Sequence, residues 1–299
     1  MKAAPAEPVA IDAAVVERRA RRAADYLALT KPRLNFLVVA TSAAGYYLGV
    51  QGSTDLLAMA SAVAGTALVA GGAAVLNQVS ERETDALMLR TRTRPLPDGR
   101  IAIAEARAFG MALSAAGVGL LALRANLLAA GLALATLVVY LAVYTPMKRR
   151  TPLSTLVGAV PGALPPLIGW TASRGTAAGG GLILFAIVFI WQIPHFMAIA
   201  WLYRGDYGRA GFPTLPVIDP GGRRAARHAV FFAGALLPVS LAAVVGPVAF
   251  SVTLVLGLGL LSLAMRFSWL RNDAAARELF FGSIVYLPIL WVVLILDHS

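Results

Sequence analysis

Three oxygen-bearing side chains, Asn77, Glu81 and Asp85, recur at four-residue spacing in the stretch LNQVSERETDALMLRTRTRPLP. On a helix that spacing stacks them on one stripe. Hard oxygen donors of this kind suit Mg²⁺, which commonly takes one or two carboxylates and leaves its other positions to water and phosphate. Arg90, Arg92 and Arg94 follow directly, and their planar guanidinium groups match phosphate oxygens. Acids and arginines together predict a site for a metal-bound diphosphate. The bland alternative is a set of solvated interfacial charges, but a charge close to the bilayer is costly and usually functional. A second stretch, VVYLAVYTPMKRRTP, sets Tyr144 and Lys148 four residues apart with Arg149 alongside. Alone it is explained equally well by an aromatic belt with positive-inside anchoring. In a third, FIWQIPHFMAIAWLYRGDYGRAGFPTLPV, His195 follows Pro194 inside an apolar run, and Tyr203, Arg204 and Asp206 come just after it. A lone buried histidine is more often a hydrogen-bonded structural residue than a ligand; His195 is nevertheless the one histidine inside a predicted span.

The elements that carry these residues follow from composition. Of 299 residues, 59% are hydrophobic and 14% charged, and mean hydropathy is +0.74, which excludes an ordinary soluble enzyme. The net charge of +11 then reflects membrane topology and anionic head groups rather than nucleic acid. Absence of cysteine excludes a disulfide, a zinc-thiolate site, an iron–sulfur cluster and a cysteine nucleophile.

About 20 apolar residues cross the bilayer core as a helix. Nine segments meet that test: Leu34 to Val50, Leu56 to Leu76, Ala104 to Leu123, Leu127 to Thr145, Thr155 to Thr171, Gly181 to Leu202, Ala229 to Val245, Val248 to Met265 and Leu279 to Leu296. Residues 229–265 are two spans, because one helix would be about 55 Å long and Gly246-Pro247 supplies a turn. With the N-terminus inside, 24 of the 26 Lys and Arg fall on the cytoplasmic side, all but Arg124 and Arg174, as positive-inside retention requires. The expected fold is all-α, a polytopic membrane bundle of about nine helices around a cavity open to the cytoplasm and to lipid. Residues 1–28 are expected to be a polar cytoplasmic tail, mobile or lying on the surface, with residues 29–299 as the catalytic domain. No cleavable signal peptide is visible, and the acids in the tail favour a bacterial cytoplasmic membrane over an organellar one.

At these residues the chain resembles the UbiA superfamily of intramembrane prenyltransferases, and within it the branch that farnesylates heme. LTKPR resembles the family's start of the first span, NQVSERETD with RTRTRPLP its first acidic motif, and YTPMK its Tyr-x-x-x-Lys pattern. KRRTP, GALPPLIGW, PHFMAIAW and DYGRAGFPTLPV are similar to the heme-directed branch. In two places the pattern departs: Glu81 stands where the superfamily usually has Asp, and Asp206 is a single carboxylate where many relatives carry a pair.

The resemblance implies farnesyl transfer from farnesyl diphosphate to a vinyl group of protoheme IX, with Mg²⁺ as cofactor. Asn77, Glu81 and Asp85 would be metal ligands, with Asp206 a weaker candidate for a second ion. Lys148, helped by Arg90, Arg94 and Arg149, would bind the diphosphate, and Tyr144 would hydrogen-bond it or face the allylic cation. Tyr203, Arg204 and His195 would border the acceptor, His195 as a heme-iron ligand or orienting group. Helix 5, with Pro161, Pro165 and Pro166, is expected to be irregular and to line the cavity. Heme A synthase or a terminal-oxidase assembly are candidate partners. The rivals are a prenyltransferase for a quinone precursor, a secondary transporter, and a non-catalytic heme chaperone with no use for the acidic stripe.

Overall fold

The structure, a computed structural model, describes residues 13–298, with side chains from residue 21 onward. No strand occurs among the described residues. The helices are α1 (Ala13–Leu29), α2 (Pro32–Gly49), α3 (Leu56–Leu87), α4 (Ile103–Arg124), α5 (Leu127–Met147), α6 (Ser154–Arg174) and α7 (Gly180–Leu202). Two short helices, α8 (Arg204–Arg209) and α9 (Leu215–Ile218), lead to α10 (Arg223–Leu241), α11 (Pro247–Leu270) and α12 (Asp273–His298). The nine helices of at least 18 residues among the described residues overlie the nine apolar segments. Six of them, α3, α4, α5, α7, α11 and α12, are apolar and long enough to cross a membrane by length and composition. Proline, glycine and terminal arginines dilute α2, α6 and α10.

Each long helix packs on its chain neighbour, α6 also packs on α2, and α12 touches both α7 and α2, so first and last helices meet. Two apolar cores result. One joins α7, α10, α11 and α12 around Ile187, Leu236, Phe267 and Leu287. The other joins α3 to α6 around Ala62, Leu121, Ala133 and Ile168. Large apolar side chains also cover the outside, among them Phe36, Leu123, Val255, Phe281 and Leu296, which suits a surface whose solvent is lipid. Between α2 and α6 the approach is close: a Cβ at Gly45 would strike the Pro166 carbonyl, and one at Gly169 the Ser42 carbonyl. Small residues let two membrane helices approach this tightly.

Two local features depart from the sequence reading. Helix α6 runs unbroken through Pro161, Pro165 and Pro166, although proline has no N–H for the carbonyl four residues earlier, and it is packed along its length against α2 and α7. Gln192 of α7 reaches across to donate to Ala159 O at 3.2 Å. The irregular stretch is instead Val139–Tyr144 of α5, a π-helical turn. Its wider ring ends with the Thr145 N–H on Tyr140 O, just before Pro146, which has no N–H to continue an α ladder. Residues 13–28, within the expected tail, form most of α1, held by Arg22 on Glu105 at 2.8 Å and by Tyr26 edge-on to Phe109. Residues 1–12 and the side chains of Arg18 and Arg19 lie outside the described residues.

Candidate active site

Helix α3 continues well past the last apolar residue of its span, to Leu87, so the acidic stripe sits on regular helix. Asn77, Glu81 and Asp85 are 2%, 6% and 1% exposed. Buried charges of this kind require partners, and each carboxylate has one. Lys148 donates to both oxygens of Glu81, at 2.7 and 3.0 Å, and Arg94 donates to Asp85 Oδ2 at 2.8 Å. The Asn77 amide nitrogen donates to Thr145 Oγ1 at 3.1 Å, which leaves Asn77 Oδ1 as the atom available to a cation. The π turn aims this side of the site. It stacks Tyr140 on Tyr144 with ring centres 5.3 Å apart and delivers Lys148 over the faces of Tyr144 and Phe212, 5.2 Å from each. Gly158 of α6 lies flat against the Tyr144 ring, where a Cβ would come within 2.5 Å.

Beyond α3 the chain turns back over the site. Thr91 Oγ1 donates to Asp85 O at 2.7 Å, and the Leu89 N–H donates to Asp206 Oδ1 at 3.2 Å. Asp206 also pairs with Arg209, so this carboxylate ties the 88–94 loop to α8. Arg90 lies at the rim, 5.0 Å from the ring centres of both Tyr203 and Tyr207, and donates to Tyr207 Oη. Arg149 is exposed beside Lys148. Between these groups is a hollow of about 90 Å³ lined by Tyr144, Lys148, Gly158, Phe196, Tyr207 and Phe212. A larger, almost wholly apolar hollow of about 480 Å³ opens between α2 and α12, beside Leu37, Ala44, Met59 and Trp291.

Two of the residues singled out in the sequence stand apart. Arg204 pairs with Asp273 at 3.0 Å and lies over the Trp201 ring, fastening α7 to α12. His195 faces α12 as well, sandwiched between Trp191 and Phe280 at 5.1 Å each. Its Nδ1 is 2.8 Å from Ser283 Oγ. That hydroxyl donates to Phe280 O at 2.7 Å, so the histidine must donate from Nδ1, and its lone pair is on Nε2.

Sequence reasoning missed Lys31. It holds a left-handed backbone (φ 51°, ψ 56°), uncommon for a residue with a side chain. The turn is clamped by Gln78 on Leu29 O and by Asn35 on Thr30 O, each at 2.7 Å. Its ammonium lies within electrostatic reach of Arg94, Lys148, Glu81 and Asp85. Burial, then the charges of Arg94 and Lys148, bring its pKa down from 10.5 to about 8. The one signal in the sequence was a lysine placed directly before Pro32, at the start of an apolar span.

The donor set fits Mg²⁺ in type, with two carboxylates and an amide oxygen on one helix face. Among the described residues no three His, Cys, Asp or Glu cluster as a metal cage, so phosphate oxygens and water would have to complete the shell. Two buried acids facing two partly buried cations can also part, acids to a metal and cations to an anion.

Comparison with known proteins gives the family and the fold. The chain is 45% identical to a protoheme IX farnesyltransferase of Solibacter usitatus (strain Ellin6076), over 92% of this chain and 98% of that one. A solved digeranylgeranylglyceryl phosphate synthase superposes with a TM-score of 0.76 at 17% identity, over 93% of this chain and 99% of that one. A UbiA homolog from Archaeoglobus fulgidus, solved with GPP and Mg²⁺, gives 0.65 at 16%, over 90% and 99%. With a profile match over residues 38–285 and the relative at 45% identity, the chain belongs to the UbiA prenyltransferase family, as a multi-pass membrane enzyme.

Proposed function

We propose that the protein transfers the farnesyl group of farnesyl diphosphate to a vinyl group of protoheme IX, with addition of water, giving heme O and diphosphate. The observation that carries the donor half is the buried Glu81 and Asp85 pair neutralised by Lys148 and Arg94. The acceptor half rests on likeness to the Solibacter farnesyltransferase. The site lies at the cytoplasmic face of a bacterial inner membrane, with the N-terminus on that side and residues 29–299 as the catalytic domain. Heme A synthase or a terminal-oxidase assembly would take the product.

When bound, Mg²⁺ would offset charge on the departing diphosphate, held by Glu81, Asp85 and Asn77 Oδ1. Lys148 and Arg94, released from the acids, bind diphosphate oxygens, and Lys31 adds a third cation. Arg90 and Arg149 gather the diphosphate at the rim. As the allylic carbon–oxygen bond breaks, its electron pair leaves with the diphosphate, and these groups stabilise the growing negative charge. The face of Tyr144 attracts positive charge and suits the allylic carbocation. The vinyl carbon bonds to the allylic carbon, water adds to the cation left on the former vinyl group, and a proton is lost. Tyr203 and Arg204 border the acceptor entry, and the apolar hollow between α2 and α12 has the character an isoprenoid tail needs. Asp206 serves the loop rather than a second ion, and His195, through Nε2, ligates or orients the heme iron. Membranes incubated with protoheme, labelled farnesyl diphosphate and Mg²⁺ should yield labelled heme O. Label on an aromatic acid and none on heme would overturn the acceptor assignment.

A further inference from the structure

At the opposite end of the bundle is a second polar hollow, about 210 Å³ in volume, bordered by Leu48, Trp170, Arg174, Ile183, Asp297 and His298. It lies where α6 ends and α7 begins, whereas the diphosphate site uses the start of α6 and the end of α7. Twenty residues of α7 separate the two levels, roughly 30 Å of helix, which is the depth of the hydrocarbon core. No diphosphate held by Lys148 reaches it.

This hollow is constructed. The Trp170 indole lies on bare backbone, where a Cβ at Gly180 or Gly181 would come within 2.6 Å of the ring. The Arg174 guanidinium is in turn 5.2 Å from the centre of that ring. Two donors of this stack, Trp170 Nε1 and Arg174 Nε, are buried with no hydrogen-bond partner. Buried donors are seldom left unpaired, and one of these two belongs to a partly exposed cation. The nearby acid does not answer them. Asp297 accepts from the Val245 and Gly246 N–H groups at 2.7 and 2.9 Å, capping the start of α11. Arg174 is also one of two arginines that the charge pattern leaves on this side of the membrane, where positive residues are disfavoured.

We propose that this hollow binds a phosphate-type anion through Arg174 and Trp170, and that the anion is the phosphodiester of a phospholipid in the outer leaflet. Leu48, Ile183 and Leu184 on its wall supply apolar surface for the first carbons of the acyl chains. The site is independent of the prenyl-transfer reading, since binding is measured without turnover.

The test titrates delipidated protein with dioctanoyl phosphatidylglycerol, read by native mass spectrometry and by tryptophan fluorescence. Wild-type protein should bind one lipid saturably. Arg174→Gln should weaken binding by about tenfold or more, and Trp170→Phe, which keeps the ring without its donor, by about threefold. Prenyl transfer should be unaltered in both, which certifies the fold. Inorganic phosphate is the second arm: competition at equal concentration would keep the anion site but assign it to the free ion. Wild-type lipid affinity in a folded Arg174→Gln protein overturns the proposal. If Arg174→Gln does not insert, unchanged binding by Trp170→Phe overturns it equally.

Discussion

Two polar clusters in the same helix bundle are built on opposite plans. Around the end of α3, two buried carboxylates are each paired with a partly buried cation, Glu81 with Lys148 and Asp85 with Arg94. Around His195, no ion pair is involved: two aromatic rings and one hydroxyl hold an imidazole. Buried ion pairs contribute little net stability, because desolvation offsets their attraction. Their value here is that each member can exchange its partner for a ligand of the same charge. The histidine cluster exchanges nothing. It fixes a ring and a tautomer, because the hydrogen bond at Nδ1 leaves the other nitrogen aimed and free to ligate.

Breaking the charged cluster should have the largest effect. Asp85→Asn and Glu81→Gln should each lower Mg²⁺-dependent farnesyl transfer by about 10³-fold or more while the protein remains in the membrane. Near-normal turnover in either would remove the metal role. Next, Glu81→Gln alone leaves Lys148 buried without its acid and should cost about 3 kcal/mol. Adding Lys148→Met should return most of that in a thermal melt and none of the activity, which separates stability from chemistry.

A smaller effect is expected at Lys31. Its folded pKa of about 8 lies below the ordinary 10.5, so between those values the unfolded chain holds more protons and this group's contribution to stability rises with pH. Its grip on an anion runs the other way and is lost as pH climbs through about 8. The KM for farnesyl diphosphate should therefore increase between pH 7 and 9.5, and Lys31→Arg should flatten that increase. The smallest change belongs to the neutral cluster. His195→Ala should weaken heme retention in an absorbance titration, and Ser283→Ala, which frees the tautomer, should do so less. Equal titrations in all three proteins would make the cluster purely structural.

How much of this could be read in advance varied with the physics involved. Apolar length located the long helices, and four-residue spacing put Asn77, Glu81 and Asp85 on one face, because both depend on local periodicity. The pairing of Glu81 with Lys148 spans 67 residues, and no local pattern contains it. Three prolines in α6 suggested a broken helix, yet the helix is continuous and packed against α2, which is far away in sequence. Lys31 was invisible for a related reason, since its placement depends on Gln78 clamping a turn 49 residues away. The sequence singled out Asp206 as a weaker metal candidate and Arg204 as an acceptor neighbour, and only tertiary contacts reveal that they fasten loop to helix and helix to helix.

The π turn at Val139–Tyr144 has a consequence for the length of the chain. Each residue of an α-helix advances the azimuth by about 100°. Deleting a single amino acid from this turn would let the backbone close up as an ordinary helix with its ladder intact. The helix beyond would keep nearly the same direction, because five residues at the α step sweep about the angle that six sweep in the wider turn, but the stacking of Tyr140 on Tyr144 inside the turn would be lost. Homologous chains that preserve the stacked pair should therefore tolerate varied apolar residues between the two tyrosines, but not a change in how many there are.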